Sequence, residues 1–143
     1  MTLKAQIQED IKTAMKAREK ERLDTLRGLM SEIKKREIDT RTELTEDQVK
    51  DTLQKETKKR RDALEFAEKA GRAELVQQNE QEIALIQGYL GKQLTEDELR
   101  ALIQQEIDGG ADSIGPIMGK LNKDYKGQFD GKTASGIVKE LLG

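Results

Sequence analysis

The sequence predicts an all-α protein. Charged residues make up 38% of the 143 residues and hydrophobic residues 34%, with a single proline and only four aromatic side chains. This composition is too polar for one large globular core and is typical of long amphipathic helices. Apolar residues recur three or four positions apart along most of the chain, which is the spacing of one helix face. We therefore expect an N-terminal antiparallel helical bundle followed by a small three-helix C-terminal domain.

The first two helices of the bundle follow from this spacing. Residues 3–17 read as a helix that Thr2 caps, since a threonine hydroxyl can accept a hydrogen bond from a free N–H group at a helix start. The periodicity resumes after a polar break at residues 18–22. Residues 39–43 are polar and without pattern, which predicts a loop.

The next two helices are bounded by stronger signals. Thr45 and Gln48 have the spacing of a capping box, and Leu44 is placed to act as a hydrophobic staple. A long helix then runs to Gly71, because glycine is typical just after a helix end. The apolar stripe of the following helix consists of Leu75, Ile83, Ile86 and Leu90.

A break at residues 91–93 separates the two predicted domains, residues 1–93 and residues 94–143. Thr95 and Glu98 form a second capping box, and the helix that it opens ends at Gly109 and Gly110.

The last two helices are expected to begin after Ser113 and Asp130, which act as their N-caps. Pro116 is tolerated in the first turn of the sixth helix. The residues expected to face inward are Ile117, Met118, Leu121, Tyr125, Ile137, Val138, Leu141 and Leu142.

The chain lacks the residue types on which most self-contained catalysis depends. There is no cysteine and no histidine, which removes the thiol nucleophile, the usual general base and the commonest metal ligand. No glycine-rich nucleotide loop and no nucleophile elbow is present. The acidic run at residues 96–98 is explained by a helix cap and the helix dipole rather than by a metal. We therefore expect no catalytic residue, no metal and no cofactor.

Charge is unevenly distributed along the chain. Residues 1–62 carry 17 basic and 14 acidic side chains, residues 63–112 carry 4 and 11, and residues 113–143 carry 5 and 3. An acidic middle between weakly basic ends is compatible with a nucleic-acid surface on the ends. No stretch approaches 18 apolar residues, so no contact with a membrane is expected. The N-terminus has no apolar signal region, so we expect a cytoplasmic location.

The candidate binding site, here called the tail site, is a set of lysines and glycines near the C-terminus. Helix N-termini attract anions through unpaired N–H groups and the helix dipole, and lysines beside such a start add contacts to phosphate. Asp130, as the cap of that helix, would compete with an anion. The alternative is that the glycines only form a turn and that Gly119 lets two helices pack closely. The tail site consists of Lys120, Lys123, Lys126, Gly127, Gly131 and Lys132.

Two further features have competing interpretations. The basic run at residues 58–61 is either a solvated helix surface or a phosphate contact, and four consecutive residues do not share one helix face. Tyr125 and Phe129 either pack against a three-helix core or stack on a base.

The order of several short motifs resembles the GatB/YqeY family over essentially the whole chain. The segments 118–120, 126–127 and 130–132 match the C-terminal motif. Leu75 and the segments 69–72, 82–83, 89–90 and 93–99 match the middle of the family. Two departures are Gly91, where the family often has proline, and Pro116, where a polar helix former is common.

The resemblance implies two α-helical domains, with a C-terminal part similar to the tail of the B subunit of the glutamine-dependent tRNA amidotransferase. That tail contacts tRNA away from the chemistry. The resemblance therefore implies carbon–nitrogen ligase activity with glutamine as amido-N-donor, but the catalytic parts are absent, so we do not expect catalysis by this chain alone.

Three functions remain open from the sequence. The first is a tRNA- or RNA-binding accessory protein, the second a non-catalytic component of an amidotransferase complex, and the third a helical protein–protein adaptor. The partners implied are tRNA and an amidotransferase or tRNA synthetase, and the sequence does not fix the oligomeric state.

Overall fold

A computed structural model describes residues 1–143 and contains seven α-helices and no β-strand. This confirms the all-α class. None of the helices is both long enough and apolar enough to cross a membrane. The helices are α1 (Leu3–Ala17), α2 (Lys20–Thr40), α3 (Glu46–Lys69), α4 (Ala73–Leu90), α5 (Glu96–Asp108), α6 (Ile114–Tyr125) and α7 (Gly131–Leu142).

The chain forms two compact units, which we call the N-terminal unit (Met1–Tyr89) and the C-terminal unit (Leu90–Gly143). The antiparallel order of the first helices and the domain boundary between residues 93 and 94 stay predictions. Limited proteolysis that cuts first between residues 91 and 95 would support that boundary.

The predicted helix signals of the N-terminal unit are present. The Thr2 hydroxyl accepts a hydrogen bond from the N–H of Ala5 at 3.1 Å. Thr45 and Gln48 form a reciprocal capping box with distances of 3.2 Å and 2.9 Å. At the other end of α3, Gly71 has a φ of +68°, which favours glycine and reverses the chain.

Two predicted breaks are shorter than expected. α2 begins at Lys20, so the break predicted for residues 18–22 covers only residues 18 and 19. A left-handed Arg18 reverses the chain there, and its N–H bonds to the carbonyls of the last turn of α1. The loop predicted for residues 39–43 is also wrong in part. α2 continues to Thr40, because an exposed helix end tolerates polar residues and the Thr40 hydroxyl donates to the carbonyl of Arg36.

The core of the N-terminal unit combines apolar packing with polar links between helices. α1, α2 and α3 contact one another. Arg36 on α2 donates to the carbonyl of Gln48 and to the side chains of Asp51 and Thr52 on α3, at 2.9–3.1 Å. The buried apolar residues are Ile7, Ala14, Leu26, Leu29, Met30, Ile33, Leu44, Val49, Leu53, Ala67, Ile83 and Ile86.

The core of the C-terminal unit is an apolar cluster contributed by α5, α6, α7 and the loop before α7. The Thr95–Glu98 capping box opens α5 as predicted, with both distances at 3.1 Å. Ser113 occupies the N-cap position of α6 but makes no side-chain cap bond, so its predicted capping role is wrong in detail. The buried members of the cluster are Leu99, Ile103, Ile117, Leu121, Phe129, Ala134, Ile137 and Val138.

Candidate nucleic-acid interface

The segment between α6 and α7 makes a tight turn that requires a glycine. The N–H of Gln128 donates to the carbonyl of Tyr125 at 2.9 Å. Between them, Lys126 has φ and ψ values of −54° and 127°, and Gly127 has a φ of +85°. These angles are those of a type II turn, whose third residue needs a positive φ. Turn geometry therefore accounts for Gly127.

The same turn is held by the segment before α5. The Gln93 side-chain amide donates to the carbonyl of Gly127 at 2.7 Å, and the N–H of Leu94 donates to the carbonyl of Gln128 at 2.7 Å. Gly127 is buried, and Phe129 lies in the apolar cluster with 5% of its surface exposed. Phe129 therefore follows the core-packing interpretation, and the turn is a fixed platform for the lysine next to it.

The start of α7 is already occupied by a carboxylate. Asp130 accepts hydrogen bonds from the N–H of Thr133 at 3.1 Å and from the Thr133 hydroxyl at 2.8 Å. Asp130 therefore already binds a free N–H group at the start of α7, as predicted, and an incoming anion would have to compete with its carboxylate. Gly131, the first residue of the helix, and Lys132 after it are both exposed.

The lysines of the tail site differ in their ion pairing. Lys120 lies with its Nζ atom 3.3 Å from a carboxylate oxygen of Glu106, which neutralises part of its charge. Lys123, Lys126 and Lys132 have no carboxylate within ion-pair distance. Lys123 and Lys132 are exposed and Lys126 is partly buried. Three of the four lysines are therefore available to an anion.

Gly119 does not serve close packing between helices of this chain. A Cβ atom added at Gly119 would have no neighbour within 4 Å, and the same holds for Gly115 one turn earlier. The close-packing interpretation of Gly119 is therefore wrong within the chain, and this side of α6 is bare and exposed.

The basic run at residues 58–61 divides into an inward and an outward part. Arg60 points inward, with a side-chain nitrogen 3.0 Å from Glu56 and another 3.6 Å from Glu82 on α4. Lys58, Lys59 and Arg61 are exposed. Arg60 lies seven residues after Leu53, a spacing that places both residues on the inward face of α3, whereas the basic run by itself does not distinguish Arg60 from its neighbours.

A cleft of about 660 Å³ in the N-terminal unit is lined by residues of α2, α3 and α4. Arg60 and Glu82 contribute opposite charges to its wall and lie close enough to offset each other. The Arg60 Nε atom is buried and has no hydrogen-bond partner, which leaves the guanidinium only partly satisfied. The cleft is therefore bounded by a structural ion pair that links α3 to α4.

Shifted pKa values in the protein follow from structural contacts. The N–H of Leu44 and then Lys4 lower the pKa of Glu37, and the N–H of Thr95 lowers the pKa of Glu98. Burial and a 2.5 Å hydrogen bond to Asp10 raise the pKa of Tyr89. Each of these groups caps a helix or joins two chain segments, and none lies in the tail site.

Comparison with known proteins finds relatives that share one name. The chain is 28% identical over 143 residues to Altered inheritance of mitochondria protein 41, mitochondrial, of Pyrenophora tritici-repentis, a match that spans 96% of this chain and 79% of that protein. It is 39% identical over 89 residues to the protein of the same name from Lachancea thermotolerans, spanning 62% of this chain and 48% of that protein. The protein of that name from Kluyveromyces lactis is 28% identical over 141 residues, spanning 94% and 73%.

These names contradict the predicted cytoplasmic location, because the relatives are named as mitochondrial proteins. The prediction rested on the lack of an apolar signal region. That lack bears only on secretory leaders, since mitochondrial targeting segments are amphipathic and rich in arginine rather than apolar.

The family suggested by the short motifs is confirmed. A family model described as Yqey-like protein matches residues 4–142, which is nearly the full length of the chain and includes both compact units. The chain therefore belongs to the YqeY-like protein family.

Proposed function

We propose that this protein is an RNA-binding accessory protein that contacts folded tRNA through the tail site of its C-terminal unit. The observation that carries the proposal is the group of lysines without ion pairs, Lys123, Lys126 and Lys132, around the turn between α6 and α7. Such lysines attract phosphate without reading sequence.

The structure of the loop favours positioning over tight binding. Lys126 lies in a turn that two hydrogen bonds hold in place, so little conformational freedom of the backbone is lost on binding. Asp130 repels phosphate at the start of α7, and Lys120 must leave Glu106 before it binds an anion. We therefore expect weak binding that depends on backbone phosphates.

Salt titration of the binding of folded tRNA tests this proposal. Each duplex phosphate contact contributes about 0.9 to the magnitude of the log–log salt slope, so three or four contacts give a slope near roughly −3. Replacing Lys126 and Lys132 with alanine should lower the magnitude by up to about two units if both lysines touch phosphate.

Replacing Lys58 and Lys59 with alanine should change the slope for folded tRNA less. The matched control replaces Lys12 and Lys16, two exposed lysines of the N-terminal unit, with alanine and should leave the slope unchanged. If the Lys126/Lys132 variant keeps the wild-type slope, or if no binding appears at low salt, the proposal is wrong and the adaptor function becomes the better one.

A further inference from the structure

A second surface of the protein, on the outer face of α3, combines an exposed aromatic ring with lysines. Phe66 is 78% exposed, although burying a phenylalanine side chain contributes about 1.5–3 kcal/mol. The fold of the N-terminal unit does not use this ring. After residue 57, Ala67 is the only buried residue of α3, so this part of the helix makes few packing contacts with the rest of the unit.

Helical spacing places lysines on the same face of α3 as the ring. With 3.6 residues per turn, Lys59 lies on the same face as Phe66, two turns before it. Lys55 lies on that face one turn before Lys59. Lys58 lies at the edge of this face. Asp62 and Ala63 lie between the lysines and the ring, and both are exposed. We call Lys55, Lys58, Lys59 and Phe66 the Phe66 surface.

Two lysines of the Phe66 surface lack ion pairs. By contrast, the Nζ atom of Lys55 lies 3.3 Å from a carboxylate oxygen of Asp51, and that of Lys69, three residues after Phe66, lies 3.1 Å from one of Glu65. Lys58 and Lys59 make no such pair, although Asp62 lies three to four residues further along. Their charge is therefore available to an anionic partner, and Asp62 is the one carboxylate of this face that opposes it.

We propose that the Phe66 surface binds single-stranded nucleic acid, with an unpaired base stacked on the Phe66 ring and the flanking phosphates on Lys58 and Lys59. A base needs only one exposed face of an aromatic ring, and every base can stack. An apolar protein anchor needs a pocket that excludes water, and Phe66 stands out from a convex helix. Charge complementarity and the exposed ring together favour a single strand over a duplex, whose bases are already stacked.

The proposal extends the RNA-binding function proposed above, but it stands on residues of the N-terminal unit alone. The two surfaces have different expected ligands. Folded tRNA tests the tail site, and an unstructured single strand tests the Phe66 surface.

The first experiment uses the full chain and a short oligouridine, which does not stack on itself. The chain has no tryptophan, so Phe66→Trp introduces a single reporter. Its fluorescence should be quenched when oligouridine binds. Affinity should hold in Phe66→Trp and Phe66→Tyr, which keep a ring, and fall by about fivefold or more in Phe66→Leu, which keeps an apolar side chain without one.

The second experiment measures how the affinity for oligouridine depends on salt, which tests whether the lysines contact phosphate. Each phosphate contact on a single strand contributes about 0.7 to the magnitude of the salt slope, so Lys58→Ala with Lys59→Ala should lower it by about 1.4. The matched control is Lys12→Ala with Lys16→Ala, two exposed lysines of the same unit, and it should leave the slope unchanged. Asp62→Asn should tighten binding, because it removes the opposing carboxylate from the same face.

The outcomes separate this proposal from the tail site. If Phe66→Leu binds oligouridine as tightly as the unchanged protein, the Phe66 surface is not a stacking site and the proposal is wrong. If polyglutamate of equal charge quenches the Phe66→Trp reporter as strongly as oligouridine, the surface recognises an acidic polypeptide and the proposal is also wrong. If the Lys126/Lys132 double-alanine variant no longer binds tRNA but its Phe66→Trp form is still quenched by oligouridine, both assignments are supported. If it still binds both ligands, the tail site is wrong and the Phe66 surface is unaffected.

Discussion

The two units of the protein hold their helices together by different means. In the N-terminal unit, side chains of Arg36, Arg60 and Tyr89 reach from one helix to carboxylates on another: Arg36 and Tyr89 donate hydrogen bonds, and Arg60 forms an ion pair. In the C-terminal unit, an apolar cluster fills the interior and hydrogen bonds fix helix ends and the α6–α7 turn. The cross-helix link from Arg100 on α5 to Glu140 on α7, at 2.9 Å, lies exposed at the surface of that unit. The comparison shows that a cation in this chain has to be assigned by its partners, because each unit contains both paired and unpaired basic side chains: Arg60 and Lys120 are paired, whereas Lys59 and Lys123 are not.

The largest effect that tests this comparison is the loss of Arg60. Replacing Arg60 with methionine leaves Glu56 and Glu82, whose side chains are 12% and 19% exposed, without a counter-charge. We expect a loss of about 3 kcal/mol in the free energy of unfolding, measured by urea denaturation, because an uncompensated charge at a partly buried site is costly.

The control for that variant is Arg61→Met, one residue further along. Arg61 is exposed, so its replacement should change stability by less than about 0.5 kcal/mol. Adding Glu56→Gln and Glu82→Gln to Arg60→Met should recover much of the loss. Equal effects of the Arg60 and Arg61 variants would show that the polar links of the N-terminal unit are not structural.

The same contrast explains what the sequence was able to predict. The helix ends were predictable because capping is local: Thr45 with Gln48, and Thr95 with Glu98, act within four residues. The boundary at Thr40 was missed, because a polar segment has no helical pattern of its own and its continuation depends on the surrounding structure.

The ion-pair partners of the side chains were less predictable from the sequence than the helices. Spacing places Arg60 on the inward face of α3, but its ion pair with Glu82 joins it to a residue 22 positions away in the chain. In the tail site, the pairing of Lys120 with Glu106 likewise joins two helices. Spacing along one helix identifies a face, but only the fold shows which carboxylate it meets.

A smaller effect separates the two kinds of glycine in the C-terminal unit. Gly127 has a φ of +85°, so Gly127→Ala should cost about 1–2 kcal/mol through strain in the left-handed region. Gly119 lies in the interior of α6 with open space around it, so Gly119→Ala should stabilise the protein by about 0.5–1 kcal/mol.

Thermal unfolding of both variants measures these opposite signs. Their tRNA affinity at low salt then separates structure from binding. A Gly119→Ala variant that is more stable but binds tRNA more weakly would show that a partner approaches the bare side of α6. If Gly127→Ala were neutral in stability, the type II turn would not be what requires glycine.

The smallest effect concerns Tyr89, which links α4 to α1. Its hydroxyl donates to Asp10 at 2.5 Å, so Tyr89→Phe should cost about 1 kcal/mol at neutral pH.

Burial, followed by the hydrogen bond to Asp10, raises the pKa of Tyr89 above the ordinary value of 10.0. Because the unfolded tyrosine ionises first, this stabilisation is fully present below about pH 10 and is lost as the pH rises from there towards the raised pKa. The difference in stability between the unchanged protein and Tyr89→Phe should therefore shrink above pH 10. Part of the phenolate absorbance of the native protein should appear only above the ordinary tyrosine pKa of 10.0. A stability difference that stays constant across this range would mean that Tyr89 does not hold α4 to α1 through Asp10, and that the polar links of the N-terminal unit reduce to its ion pairs.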